Sequence, residues 1–520
     1  MANAASAAAA PPPAPVQLTG GTLALLTVGL AFGTFMEVLD TSIANVAVPT
    51  ISGSLGVATS DGTWVISSYS VAAAIAVPLT GWLARRVGEV RLFTISVLAF
   101  TMASALCGLA VNFPSLIAFR LLQGLVSGPM VPLSQTILMR SYPPAKRGLA
   151  LGLWAMTVIV APIFGPVMGG WITDNYSWPW IFYINLPIGL ISAASAYFLL
   201  RGRETPTAKQ RIDGVGLGLL VVGISCLQMM LDNGKDRDWF SSPFIVALAL
   251  IAAVALAFLL AWEITEKTPV IDLTLFKDRN FALGALIIFL GYMTFFGSVV
   301  IFPLWLQTVM GYTAGLAGLA TAPVGLLALV LSPLIGRNMH RLDLRMVASF
   351  AFAVFAIVSI WNGTFTLDVP FGHVIMPRIV QGIGVACFFV PMTTITLSSI
   401  PDERLASASG LSNFLRTLAG AIGTAISTTF WENDAIYHHA VLSESVSAYS
   451  QNTTAYQHAL GTLGMTGDSI TAQLNSLVTQ QGYMMATNDF FRISCAAFVL
   501  LAGLVWITKP KRGAGAAMGH

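Results

Sequence analysis

Two carboxylates three residues apart, Glu37 and Asp40, lie inside an apolar stretch that runs from Thr22 to Ile51. On a helix they share one face. A mid-bilayer Asp is unfavourable by roughly 2.5–3.5 kcal/mol on translocon scales, so such a group faces a cavity or a partner. No other carboxylate of the chain is placed so deep in an apolar span. Two chemistries fit: an acid that fixes helix packing, or one that takes up and releases a proton, the default role for intramembrane ionisable groups. A later apolar span carries a cation, Arg120, four residues before Gly124. It needs a counter-charge, water or backbone carbonyls, and the two acids supply one if the spans meet across a cavity. A neighbouring guanidinium and burial act on a carboxyl's proton affinity in opposite senses, so a movement that alters either switches the acid between loading and release. A fixed ion pair is the other reading.

The composition says what holds these groups. Of 520 residues, 56% are hydrophobic and 9% charged, and the mean hydropathy is +0.77. Soluble domains carry roughly a quarter charged residues, so this is an all-α polytopic membrane protein, embedded in a lipid bilayer. Fourteen apolar runs are long enough to span: 22–48, 63–84, 92–111, 114–139, 149–172, 179–200, 212–231, 243–262, 281–304, 315–336, 346–363, 374–399, 405–429 and 490–508. Of 26 Lys and Arg, 20 fall on the even-numbered turnarounds and the C-terminal tail. The opposite side holds Lys235 and Arg237; Arg120, Arg378, Arg416 and Arg492 fall within spans or at their edges. Both termini are therefore expected in the cytoplasm. The uncharged, Ala/Pro-rich first twenty residues read as a disordered tail rather than a secretory signal. The four Cys lie far apart in apolar spans, with neither a disulfide framework nor a metal-ligand spacing.

The chain repeats itself. Arg120-Leu-Leu-Gln123-Gly124 in span 4 matches Arg378-Ile-Val-Gln381-Gly382 in span 12 at an offset of 258, and Pro78-Leu-Thr-Gly81 matches Pro333-Leu-Ile-Gly336 at an offset of 255. Spans 1–6 and 9–14 thus read as two copies of a six-helix unit with spans 7 and 8 inserted, a transporter architecture. The expected organisation is a tail over 1–21, a first half over 22–200, a linker and inserted pair over 201–280, a second half over 281–508, and a tail over 509–520. Residues 431–488 contain no Lys or Arg and read as a long external loop, either a tether or a docking surface. Within it Ile470, Leu474, Leu477 and Val478 recur at helical spacing, with Asp468 placed to cap that helix.

Span 5 holds Gly165-Pro166-Val-Met-Gly169-Gly170, a cluster that marks a hinge or close helix contact. Between spans 2 and 3, Gly81, Arg85, Arg86 and Gly88 form a tight basic turn. Together with LDTSIANVAVP (Leu39 to Pro49), RLLQG and WIFYINLPIG (Trp180 to Gly189), these runs resemble the motif set of the major facilitator superfamily. More narrowly, they resemble its fourteen-span drug/proton antiporters of the EmrB-like branch, from about Leu18 to Lys511.

The resemblance implies a major facilitator fold of two six-helix halves plus two inserted helices, 14 transmembrane helices in all. It implies proton-driven export of hydrophobic compounds from a bacterial inner membrane, with the proton gradient as energy source and no cofactor. Asp40 matches the family's first-span acid, Arg120 its proton-transfer arginine, and Gly165, Pro166, Gly169 and Gly170 its antiporter motif. A periplasmic membrane-fusion adaptor and an outer-membrane channel are implied as partners. The turn at Gly81 departs from the family in carrying Arg85 where an acid is usual, which unsettles any gating ion pair assigned there. Glu37 is an extra acid that the family does not assign.

Other classes lack the residues they need. Proton-coupled uptake shares the fold but not the span 5 motif. A membrane enzyme needs a polar catalytic cluster, and neither HExxH nor a P-loop is present. No selectivity filter marks a channel, and neither a metal site, a catalytic residue nor a nucleic-acid partner is expected. Mixed polar and aromatic character singles out Tyr292, Phe296, Gln381, Phe388 and Asn413 as walls of a substrate cavity for bulky amphipathic molecules. Arg378 and Arg416 are the expected anion-binding groups, since their half lacks intramembrane acids.

Overall fold

The computed structural model describes residues 18–143, 146–208, 213–266, 269–446, 450–463 and 465–509. The N-terminal tail before Leu18, Lys209, Arg211, Lys267 and the tail from residue 510 lie outside the described residues, as does the side chain of Pro166.

The long rods follow the apolar runs. They are α1 (Gly20–Leu55), α2 (Trp64–Ala76 and Thr80–Val87), α3 (Glu89–Gly108), α4 (Phe113–Ser141), α5 (Arg147–Asn175), α6 (Trp180–Leu199), α7 (Gly214–Asn233) and α8 (Pro243–Thr265). The second set is α9 (Arg279–Thr308), α10 (Gly315–Arg341), α11 (Leu344–Asn362), α12 (Phe371–Leu397), α13 (Leu405–Ser445) and α14 (Gly467–Leu504). Eleven are long and apolar enough to cross a membrane alone, and α2 and α5 join them as rods bent by 60° and 41°. The fourteenth, α13, is less apolar because it is rich in Gly, Ser and Thr and carries Arg416. It packs against α9, α14 and the second segment of α4.

Local chemistry sets the ends and bends. Asp213, Asp278 and Asp343 accept backbone N–H groups at the starts of α7, α9 and α11, which answers donors that no helix can satisfy internally. The bend in α2 falls at Val77-Pro78-Leu79, where proline removes an N–H. Gly128 of α4 packs into it, and a Cβ there would lie 2.5 Å from the Ala76 side chain.

The two halves repeat in space as in sequence. Gly124 of α4 lies against the Tyr69 carbonyl of α2, and Gly382 of α12 lies against the Val324 carbonyl of α10. Both pairs are related by the offsets of 258 and 255 read from the motifs. The inserted α7 and α8 pack on each other, and α7 touches both α2 and α13, so the pair spans the seam between halves.

At the end of the bundle that carries the arginine-rich turns, the halves are sealed together. Arg85 donates to Ser407 Oγ at 2.6 Å, Arg147 pairs with Asp402 at 3.2 Å, and Arg140 donates to the Asp402 carbonyl. Gly81 lies against Ser407, and Gly148 and Gly336 meet backbone to backbone. Gly88, with φ +97, makes the turn before α3. The amides that follow are capped from the linker, Val90 N–H by Glu204 Oε1 at 3.0 Å and Arg91 N–H by Glu204 Oε2 at 2.9 Å. Arg86 lies over the Trp82 ring at 5.4 Å.

The opposite end departs from the sequence expectation. Residues 431–488 are mostly helix rather than loop: α13 continues to Ser445, a short helix covers Gln451–Thr462, and α14 begins at Gly467. Ile470, Leu474, Leu477 and Val478 do share a half-buried face on α14, but Asp468 lies in the first turn and Thr466 holds the cap position. The extensions are braced by Trp431 Nε1 donating to Thr487 Oγ1 at 2.8 Å, and by His438 Nε2 lying 3.1 Å from Asp489 and 3.4 Å from Asp434. Burial and the nearby Asp489 push the Asp434 carboxyl above its ordinary range. The α7–α8 turn joins them through Lys235–Glu432 at 2.7 Å.

The seal depends on α5 and α10 meeting without side chains. A Cβ on Gly152 would lie 2.6 Å from the Ser332 carbonyl, so Gly152→Val should keep the basic end apart. With cysteines replacing Arg147 and Asp402, oxidative cross-linking should fall several-fold in the Gly152→Val background. Undiminished cross-linking would show that the glycine is not needed for closure.

Candidate functional site

The residues singled out first meet in the core of the first half. Asp40 of α1 is 2% exposed and Arg120 of α4 is fully buried. Arg120 Nη1 donates to Asp40 Oδ2 at 2.5 Å and to Gln123 Oε1 at 2.8 Å, and its Nε donates to the Val65 carbonyl of α2 at 2.9 Å. The other carboxylate oxygen accepts two amides: Gln123 Nε2 at 3.0 Å and Asn185 Nδ2 of α6 at 2.8 Å. Four helices therefore meet at this ion pair. Tyr69 and Phe182 cover the guanidinium, with ring centroids 4.3 Å and 5.7 Å away. The clamp is shut off from solvent, and its guanidinium–carboxylate contact is backed by amide donors on the second oxygen.

Glu37, one turn earlier, is half-buried. The Val131 backbone N–H reaches its carboxyl, while Oε2 has no hydrogen-bond partner among the described residues. Val131 is free to donate because α4 breaks at Gly128-Pro129, which leaves the first amides of its second segment without intrahelical acceptors.

Two glycines of the span 5 cluster lie against α1 just past Asp40. Gly165 packs on Ser42 and Gly169 on the Ile43 backbone, with Ser42 Oγ donating to the Pro162 carbonyl at 3.1 Å. Gly170 meets open space instead. So α5 rides closely on α1 at the two residues that follow Asp40 and Thr41.

Between the halves is a narrow cleft lined by Gln135, Ile288, Phe388, Phe389, Met392, Thr393, Ser412, Asn413 and Arg416. Of the expected walls, Phe388, Asn413 and Arg416 line it. Tyr292 and Phe296 stack on each other at 4.7 Å, and Tyr292 lies 5.7 Å from the Arg416 guanidinium. Arg378 and Gln381 are not among the lining residues. They are buried in the second half, and Arg378 stacks over Phe302 at 3.8 Å with Nε and Nη2 lacking acceptors among the described residues.

Sequence reasoning missed three polar groups. Gln123 and Asn185 stand inside quoted motifs, but nothing in their spacing marked them as carboxylate ligands. Gln135, 2% exposed, bridges the halves: its Oε1 accepts from Ser409 Oγ and from Asn413 Nδ2, the latter at 3.1 Å. The available signal was a lone amide within an apolar span, of the kind that joins membrane helices.

Two six-helix halves around a cleft, with a charge clamp buried in one of them, define a secondary membrane transporter. The chain belongs to the Major Facilitator Superfamily, whose family description matches residues 30–424, as the motifs led one to expect. It is similar to the multidrug export protein EmrB of Escherichia coli K12, 53% identical over 499 residues that cover 96% of this chain and 98% of that one. It is also similar to the fatty acid resistance protein FarB of Neisseria gonorrhoeae, 50% identical over 95% of this chain and 97% of that one. Two solved structures share the fold: the proton:xylose symporter XylE (TM-score 0.58, 15% identity, 93% of this chain and 95% of that one) and the human organic anion transporter MFSD10 (0.56, 14%, 93% and 97%).

The clamp can be tested through stability. Arg120→Ala strands a buried carboxylate and should cost about 3–5 kcal/mol, read as a lower Tm of the purified protein. Adding Asp40→Asn should restore much of that loss, because neither charge is then left alone. Additive losses in the double variant would break the proposed coupling.

Proposed function

We propose that this chain is a proton-driven antiporter that exports hydrophobic or amphipathic toxic compounds across the bacterial inner membrane. The observation that carries the reading is the Asp40–Arg120 clamp, set in a chain about half identical to a multidrug exporter along nearly its whole length. Protonation of Asp40 removes the charge that holds Arg120 Nη1, Gln123 and Asn185 in place. Those donors are then free to repartner, and α1 can shift along the glycine face of α5. Deprotonation rebuilds the clamp. A proton is thus converted into a change of helix contact, with Glu37 as a second acid one turn away.

In this reading the basic end faces the cytoplasm, with both termini there, and the sealed seam makes this an outward-facing state. Release of cargo then follows from proton entry on the periplasmic side. No cofactor is needed beyond the gradient. By likeness to EmrB-type pumps, the α13–α14 extensions around residues 431–488 meet a periplasmic membrane-fusion adaptor that leads to an outer-membrane channel.

Inverted vesicles bearing the wild-type chain should pump a lipophilic dye when a proton gradient is imposed and stop when it is collapsed. Asp40→Asn should abolish this with insertion intact, Arg120→Lys should keep part of it, and Glu37→Gln should be milder. Retained gradient-driven transport in Asp40→Asn would move coupling to Glu37 or elsewhere. A further variant separates pump from assembly: replacing about residues 440–480 with a Gly/Ser linker should leave vesicle transport largely intact while weakening adaptor co-purification. Loss of vesicle transport in a correctly inserted protein would make the extensions part of the pump itself.

A further inference from the structure

At the end of the bundle opposite the arginine-rich turns, three metal-ligating side chains converge from two helices. Asp434 and His438 stand one turn apart on α13, and Asp489 faces them from α14. His438 Nε2 lies 3.1 Å from Asp489 Oδ2 and 3.4 Å from Asp434 Oδ2, and the three atoms lie within 4.8 Å of one another. Asp434 Oδ2 is buried and accepts no hydrogen bond among the described residues. His438 and Asp489 are 51 residues apart in the chain, so no ligand spacing marks this cluster in the sequence. The neighbours hold it in place. Arg492 donates to Asp489 Oδ1 at 2.7 Å, and the Tyr437 ring lies 5.5 Å from the imidazole. The Trp431–Thr487 bond and the close approach of Gly482 to the Ala435 carbonyl fix the separation of the two helices.

One ring nitrogen cannot answer both acids. An imidazole Nε2 carries at most one proton, which serves one carboxylate well and leaves the other without a donor. Two carboxylates this close also repel, and burial adds to the cost of their charge. A divalent cation removes both difficulties, since it takes a lone pair from each of the three atoms and matches the two negative charges. The spacing agrees. Tetrahedral ligands about 2.0–2.1 Å from a zinc ion lie about 3.3 Å from each other, close to the 3.1 Å and 3.4 Å found here. An imidazole in the set favours zinc and its transition-metal neighbours over Mg²⁺ and Ca²⁺, which take oxygen ligands. Arg492 occupies Asp489 Oδ1 and so leaves Oδ2 to ligate, as outer partners of metal-binding carboxylates do.

We propose that Asp434, His438 and Asp489 bind one divalent transition-metal ion, with zinc the best match, and that the ion rivets α13 to α14. Three protein ligands leave a fourth position to water or to a side chain of a docked partner. Asp434 also lines a surface groove with Trp239, Asn433 and Tyr437, which gives the ion its way in. The nearby Lys235 does not compete for the acids, because it is paired with Glu432 at 2.7 Å. The site stands apart from the Asp40 junction and needs neither proton nor cargo.

The test uses full-length protein in detergent, purified through a tag that binds no metal and stripped with EDTA. Zn²⁺ is then titrated against a chromophoric chelator. The wild type should take up one equivalent with a Kd of about 1 μM or tighter. Asp434→Asn, His438→Gln and Asp489→Asn should each weaken that binding about tenfold or more. His439→Gln alters the next histidine along, which lies against Asn475, and should bind as the wild type does. Saturating Zn²⁺ should raise the wild-type Tm by several degrees and leave that of His438→Gln unmoved, a difference that a protonated His438 acting alone would not produce. If one variant does not fold, the remaining two and the wild-type Tm shift decide. Lack of a one-equivalent site in the wild type, undiminished binding in the folded variants, or a preference for Mg²⁺ over Zn²⁺ overturns the proposal.

Discussion

A carboxylate sealed from water persists only while its charge and lone pairs are answered, and Asp40 has all of its answers from other helices. The Val65 carbonyl of α2 orients the guanidinium, α4 supplies Arg120 and Gln123, and α6 supplies Asn185. The ion pair is thus less a bond between two residues than a junction of four helices. Charge removed there is felt at every one of them, because a buried polar network loses more than one bond when one member changes. The close seating of α5 on Ser42 and Ile43, just past Asp40 on α1, puts a glycine-lined helix contact beside the junction.

The charges of this junction were legible in the sequence because charge is rare in an apolar span and costly when present. Asp40 and Arg120 announced themselves, and the structure joins them. Gln123 and Asn185 did not, although both stand in motifs quoted for other reasons. A neutral amide is far cheaper to bury than a charge, so its presence carries little signal until its partner is known. The same limit explains Arg378 and Arg416, equal on paper as cations in apolar spans. One proves to be packed over an aromatic ring and the other lines the cleft, a distinction that helix rotation makes and composition does not.

Helix count was legible through apolar length, and failed where that signal fades. α13 is the least apolar of the long rods since it faces partners and cleft more than lipid. Its continuation beyond the bilayer is polar on most faces, so a reading built on apolar runs ends the helix near residue 429 and calls the rest a loop. The repeat fared better. Glycines that face a carbonyl of a neighbouring helix tolerate no side chain, and this constraint preserves Gly124 and Gly382 in register with Tyr69 and Val324.

The length of α13 has a mechanical consequence. It runs unbroken from Leu405 at the sealed end, past Arg416 at the cleft, to Ser445. At the helical rise, the distance from Arg416 to Ser445 is about 44 Å, so a tilt of about 5° pivoting at the cleft displaces the tip by about 4 Å. Braced to α14 by Trp431 and His438, the pair is built as a lever rather than as a tether. A small tilt at the cleft would thereby be enlarged at the far end of the pair. Anything seated there would feel the state of the cleft without touching it.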